Sequence, residues 1–335
     1  MHHIELVALL QYDLIHYFVF FLVAYVVFVN AVRFQRKRDL HRRYGQYATR
    51  ENLKAMTLHD AWAIQKEFLQ LEFPFMALKS LQFALFRVCC ATCLYLALIL
   101  YMLMEHTQTY GIPSISSLLT KTSQFTCPAT ALKRYADTTT LIGEFMAFSP
   151  ESDRAQTALA RTNVLHSGYR NNGSIHEEDM LYTLSLFATE PIRVIERFEW
   201  RSLTDMEKCA IGTYWMNVGE ALGIPYEQLA VPGATETEKN GKAPPFEDGL
   251  EWLQAIKSWG QRYEEKEMKP NQANKVVADQ TTELLMYGLP SIFRPAALSF
   301  VSFMMDDRLR WAMMFVYSLP FPYQNSPRNS NNTTS

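Results

Sequence analysis

LARTNVLHSGYR, residues Leu159 to Arg170, is the stretch on which the reading of this chain turns. Upstream, Ser149 and Pro150 suit an N-cap and a first helical position, and apolar residues recur through Ala155, Leu159, Val164 and Leu165. The spacing predicts a helix carrying Thr162, His166 and Tyr169 on one stripe, because offsets of four and three residues are neighbours on a helix surface. An imidazole projecting from an apolar helix face is what an axial haem ligand requires. A lone histidine so placed also serves as a hydrogen-bonded core residue or as a cation near a helix C-terminus, so the pattern by itself leaves three roles open.

Working outward, the same helical punctuation recurs. Cys127-Pro128 opens ALKRYADTTTLIGEFMAF, where Arg134, Asp137 and Thr138 lie at i, i+3 and i+4 on one face. An Arg–Asp pair on a helix surface would account for two of these without chemistry and contributes less than about 1 kcal/mol. Thr57 caps a helical pattern through Glu72, extended by FPFMALKSLQFALFR to Arg87. Downstream, Ser174-Ile-His-Glu177 and Thr204 to Glu207 both have the form of a capping box, and Gly223 with Pro225 ends the second of these helices. Tyr214, Trp215 and Met216 on it read as core or pocket wall. Residues 227 to 249 form a polar loop containing Pro and Gly, followed by helical patterns at 251–268, 274–287 and 294–317. Strand-like alternation is absent, so the expected body is all-α.

The N-terminal region has a different character. Leu14 to Val32 carries no formal charge, and its 19 residues span about 28 Å as a helix at about 1.5 Å each. Arg33, Arg36, Lys37, Arg38, Arg42 and Arg43 follow at once, whereas Glu5 and Asp13 precede it. A cleaved secretory signal would have its basic residues on the other side. The expected topology is a luminal 1–13, a membrane helix 14–32, a cytosolic body 33–317 and a disordered tail 318–335. The five cysteines, Cys89, Cys90, Cys93, Cys127 and Cys209, form no even framework, in keeping with a reducing compartment, where the sequons at Asn172 and Asn332 stay unmodified. A net charge of −2 argues against a nucleic-acid partner.

Motifs of other redox and hydrolytic chemistries are missing. The chain has no Gly-rich nucleotide loop, no Gly-x-Ser-x-Gly, no His-Glu-x-x-His, no Glu-x-x-His pair for a di-iron site and no Cys in a Gly-containing haem-thiolate loop. His176-x-Glu178 matches part of a two-His-one-carboxylate iron site, with no third ligand evident.

RTNVLHSGYR (161–170), with EEDMLYTLSLFATEPIRVIERFEWRSLTDMEKCAIGTYW (177–215) and RLRWAM (308–313), resembles the family of fungal endoplasmic-reticulum-bound oxygenases of the mpaB type and, more distantly, the rubber oxygenases or latex clearing proteins. The resemblance covers most of residues 14 to 311. It implies a globin-like helical core holding a b-type haem, with His166 as axial ligand of the iron and dioxygen as co-substrate. Rubber oxygenases carry Arg-x-x-Lys-Thr in the helix before. Arg134 and Thr138 match, and Asp137 replaces the lysine, which implies an open sixth position with Asp137 as a proton acceptor or an ion partner of Arg134. Arg161, one turn before His166, is a candidate for a haem propionate. The implied reaction is oxidative cleavage of a C=C bond in the farnesyl-type chain of a membrane-associated isoprenoid secondary metabolite, at the endoplasmic reticulum membrane and in company with other pathway enzymes. Against the family pattern, residues 88–109 look like an apolar insertion, an unspliced intron or a second membrane contact, and family members continue beyond residue 317. Those departures keep a rival open: a non-catalytic, membrane-anchored paralogue that binds a prenylated intermediate. A non-haem iron enzyme using His176 and Glu178 is a third reading.

Overall fold

The computed structural model describes residues 2–74, 111–122, 128–229, 246–286, 289–296, 298–299 and 307–315. The apparent insertion at 88–109, most of the 227–249 loop and the tail lie outside them. Contacts divide the chain into two units, Met1–Asn52 and Leu53–Ser335.

The first unit is helical. α1 runs His2–Val32 and α2 runs Gln35–Arg43. Val19–Arg43 is long and apolar enough to cross a membrane, and none of that window is buried by the protein. Phe20, Phe21, Tyr25 and Phe28 are all more than half exposed. A helix with so much aromatic and aliphatic surface in water needs another apolar phase to cover it.

The second unit is built around α8, Asp205–Ala221. Its apolar residues occupy more than one stripe, and Met206, Ala210, Ile211, Tyr214, Trp215 and Val218 are all buried, the signature of a helix enclosed by others. Three helices pack on it: α3 (Leu58–Glu67), α7 (Glu177–Phe198) and α9 (Gly249–Glu267). The α8–α9 crossing requires glycine on both sides. A Cβ on Gly212 would stand 1.9 Å from the carbonyl oxygen of Gly249, and one on Gly249 would stand 2.2 Å from the Thr213 nitrogen. Two further pairs complete the body: α4 (Pro113–Lys121) with α10 (Gln272–Leu285), and α5 (Pro128–Ala147) with α6 (Asp153–Asn171). A short α11 covers Asp307–Ala312. No strand occurs among the described residues, in agreement with the all-α expectation.

Local signals decide most helix ends. Thr57 accepts from Asp60 N and starts α3, which passes into a π turn at Phe68–Glu72. Thr204 and Glu207 form the expected reciprocal capping box. Two expectations are corrected. α6 is capped by Ser152, whose hydroxyl accepts from Ala155 N, so Ser149 and Pro150 belong to the turn before it. The Ser174–Glu177 box does not form: His176 is the N-cap of α7, and Glu177 instead takes a bidentate contact from Arg170.

The unit also holds a buried ionic triad. Arg201 donates to Glu72 through Nε at 2.8 Å and to Glu207 through Nη1 at 2.8 Å and Nη2 at 2.7 Å, with a further contact from Nη2 to Glu72. Its guanidinium carbon lies 5.0 Å from the Phe73 ring centroid. Glu207 accepts from the Thr204 backbone as well, so one carboxylate closes the cap of α8 and neutralises the arginine.

Candidate active site

The site is read from the antiparallel pair α5 and α6. A short turn joins them, and Arg154 near the start of α6 reaches back to Glu144 through Nε at 2.7 Å and Nη2 at 2.6 Å. Trp62 Nε1 donates to Met146 O at 3.0 Å and Tyr214 Oη to Phe145 O at 2.6 Å, which fixes the end of α5 to α3 and α8. From the Glu144–Arg154 level the two helices climb in opposite chain directions with the same rise per residue.

On α6 the core stripe starts at Ala155, Ala158 and Leu159, all buried, and continues through half-buried Thr162 to half-buried His166 and Tyr169. Thr162 Oγ1 donates to Ala158 O at 2.9 Å, leaving its methyl in the stripe. The predicted alignment of Thr162, His166 and Tyr169 is thus the inward side of the helix. Nδ1 of His166 is withdrawn from solvent. Beyond Leu159 the helix emerges from the core, and Val164 and Leu165 are 63% and 45% exposed. His166 is thus a half-buried imidazole at the edge of the core, a placement that fits the donor role an iron porphyrin needs, while Val164 and Leu165 face other sides of the helix.

The other expected residues are placed less uniformly. Arg161 is exposed, and at five positions before His166 it points roughly 140° away around the helix axis. Thr138 is half-buried on α5, whereas Asp137 faces solvent in an i,i+4 ion pair with Lys133 at 2.7 Å. The side chain of Arg134 lies outside the described residues, so its expected pairing with Asp137 does too. His176 caps α7, and Glu178 accepts from Gln228 at 3.4 Å. Among the described residues no three His, Cys, Asp or Glu side chains converge as metal ligands, so nothing there completes a His176–Glu178 iron site.

Two residues that the sequence reading passed over tie α6 down. Asn163 Nδ2 donates to Ala221 O at 2.8 Å. Arg170 donates to both Glu177 carboxylate oxygens and to the carbonyls of Leu222 and Gly223, each at 2.8 or 2.9 Å. A second polar cluster lies on α7, where Asp179 accepts from Ser114 Oγ at 2.7 Å and Tyr263 Oη at 2.8 Å. Burial pushes its carboxyl above the usual carboxylate range, and the two donors pull it back in part.

Among the described residues the body is all-helical, with a histidine-bearing helix at the edge of its core. The model of the ER-bound oxygenase mpaB/B′/rubber oxygenase catalytic domain matches residues 91–316, and the chain belongs to that family. It is 47% identical over 302 residues to the ER-bound oxygenase mpaB′ of Penicillium brevicompactum, a match covering 90% of this chain and 63% of that protein. It is 47% identical over 295 residues to the ER-bound oxygenase mpaB of Penicillium roqueforti, covering 88% of each. Against mpaB of Penicillium brevicompactum the identity is 46% over 80% of this chain and 60% of that protein. The chain thus spans less than two thirds of the length of two of these relatives. Their names describe oxygenases bound to the endoplasmic reticulum, and one N-terminal helix of this chain could anchor it to a membrane.

Proposed function

We propose that this protein is a haem b-dependent oxygenase, anchored in the endoplasmic reticulum membrane, that cleaves a C=C bond in the farnesyl-type chain of a prenylated small molecule. The observation that carries the reading is His166, a half-buried imidazole on the inward stripe of α6 with Nδ1 withdrawn from solvent, inside the family match. Haem held there supplies an iron that activates dioxygen, and the overall reaction places one oxygen atom on each carbon of the broken double bond. His166 would hold the iron. Thr138, half-buried on α5, would offer a hydroxyl to the oxygen side, and Arg134 of the same helix would add a cation there. Asp137 would accept a proton at its carboxylate only after Lys133 turns away. Arg161 would meet a propionate only by reaching back around the helix from its exposed position.

The membrane helix suits the substrate. A farnesyl tail partitions into lipid, and a body held at the bilayer surface can draw it into an apolar pocket without passage through water. With Arg33 to Arg43 on the cytosolic side, the N-terminus is luminal and the body cytosolic. The test is turnover of a farnesylated phenol by the full chain in detergent, supplied with haem and isotopically labelled dioxygen. Label in both carbonyl fragments, lost in His166→Ala, is the expected result. Cleavage that persists in His166→Ala would refute the role of that residue.

A further inference from the structure

α8 ends in a Schellman arrangement. Ile224 N donates to Gly219 O at 2.9 Å, Gly223 N donates to Glu220 O at 2.9 Å, and Gly223 takes a φ of 64°. That motif uses the inner carbonyls and leaves those of Ala221, Leu222 and Gly223 pointing outward at the negative end of the helix dipole. All three are taken by side chains of α6: Ala221 by Asn163, and Leu222 and Gly223 by the two terminal nitrogens of Arg170. The arginine's remaining hydrogen bonds go to both oxygens of Glu177, the first residue of α7. One guanidinium therefore joins the last turn of α6, the first turn of α7 and the C-terminus of α8, and two of its four hydrogen bonds go to a carboxylate. The spacing is the informative part. Asn163, His166 and Arg170 lie at i, i+3 and i+7, one stripe of one helix, so the two anchors straddle the imidazole and lie on its side.

We propose that Arg170, seconded by Asn163, is a positioning residue for the iron ligand His166, setting the rotation and height of α6 by completing the C-terminal cap of α8. The proposal rests on His166 being the ligand. A helix pinned on both sides of a residue can neither turn about its axis nor slide along it there. The imidazole is then held in one place without a hydrogen bond from either anchor. Releasing Arg170 frees the last turn of α6 and leaves two carbonyls and one carboxylate to water, so the ligand samples several orientations. The bound haem should then be held less tightly and less uniformly, while the fold around α8 persists.

The experiment uses the full-length protein in detergent with haem supplied, as wild type, His166→Ala, Arg170→Gln, Asn163→Ala and Lys275→Ala. The last breaks an exposed pair with Asp279 on α10, remote in sequence from the site. The readouts are transfer of haem to excess apomyoglobin, the ferric/ferrous potential and the width of the ferric electron paramagnetic resonance signal, with circular dichroism to establish folding. Haem loss should accelerate about 10- to 100-fold in Arg170→Gln, the range set by disturbing residues that support a metal ligand, with a smaller acceleration in Asn163→Ala, a broadened ferric signal in both and none in Lys275→Ala. If Arg170→Gln does not fold, Asn163→Ala carries the test alone. Wild-type rates, potential and line width in the folded variants would overturn the positioning role and leave the ligand assignment standing. A wild-type protein that takes up no haem, or a His166→Ala protein that keeps it unchanged, would overturn both.

Discussion

Replacing Arg201 by methionine removes the cation that, among the described residues, neutralises two buried carboxylates. The side chains of Arg201, Glu72 and Glu207 are 5%, 6% and 0% exposed, so water cannot solvate what is left behind. Surface ion pairs contribute about 0–1 kcal/mol, whereas stripping one partner from a buried pair costs about 3–5 kcal/mol, because the orphaned charge remains out of water. The variant also loses the contacts of the guanidinium with the Phe73 and Trp200 rings, while methionine keeps most of the packing volume. A loss of about 3–5 kcal/mol is a large fraction of the 5–15 kcal/mol that typically holds a domain together. Urea unfolding of the detergent-solubilised protein, followed by far-ultraviolet circular dichroism, would read it as a fall in midpoint at unchanged slope. Adding Glu72→Gln to Arg201→Met should recover part of the loss, since one of the two uncompensated charges is then gone. A loss below about 1 kcal/mol, or no recovery in the double variant, would refute the view that the triad is a desolvated unit.

Other predictions concern single contacts. Gly212→Ala should cost about 3 kcal/mol or more, since its Cβ meets backbone of α9 rather than a side chain that can move; a thermal midpoint within a degree or two of wild type would contradict the close crossing. Thr204→Ala should cost about 1 kcal/mol through loss of one half of the capping box, measured by the same denaturation. Asp179 gives a pH dependence of definite sign. Its carboxyl titrates above the unfolded value, so the folded state binds the proton more tightly, and stability falls as pH rises from the ordinary carboxylate range through the folded pKa. Asp179→Asn keeps an acceptor for Ser114 and Tyr263 and removes the buried charge, so its midpoint should gain on wild type as the pH is raised from 4 to 8; a gain that shrinks over that range would reverse the sign.

The parts of this fold legible in the sequence are those set by residues close together in the chain. Thr57, Pro128, Thr204 with Glu207, and Gly223 each act through neighbours within one turn, and each helix end follows from them. Two local signals were overruled by local competition or distant partners. SPESD offers several caps, and the hydroxyl that meets a free N–H belongs to Ser152 rather than Ser149. Glu177 has the spacing for a capping box, but a cation from the preceding helix gives it a charge-assisted bidentate contact that a backbone N–H cannot match. The triad was out of reach altogether, because Glu72 and Arg201 are far apart in sequence and meet only when α3 packs on α8. In the candidate site, the stripe holding His166 followed from periodicity. Arg170 did not, since its role depends on where α8 ends in space.

The most direct test of the central claim is the ultraviolet–visible spectrum of the full-length protein, solubilised in detergent after expression with haem supplied, recorded before and after dithionite and again with carbon monoxide. A Soret band that moves on reduction and moves further with carbon monoxide, and that is absent from a folded His166→Ala variant, is the predicted result. A folded wild-type protein without a Soret band, or a His166→Ala variant whose band is unchanged, would contradict the assignment.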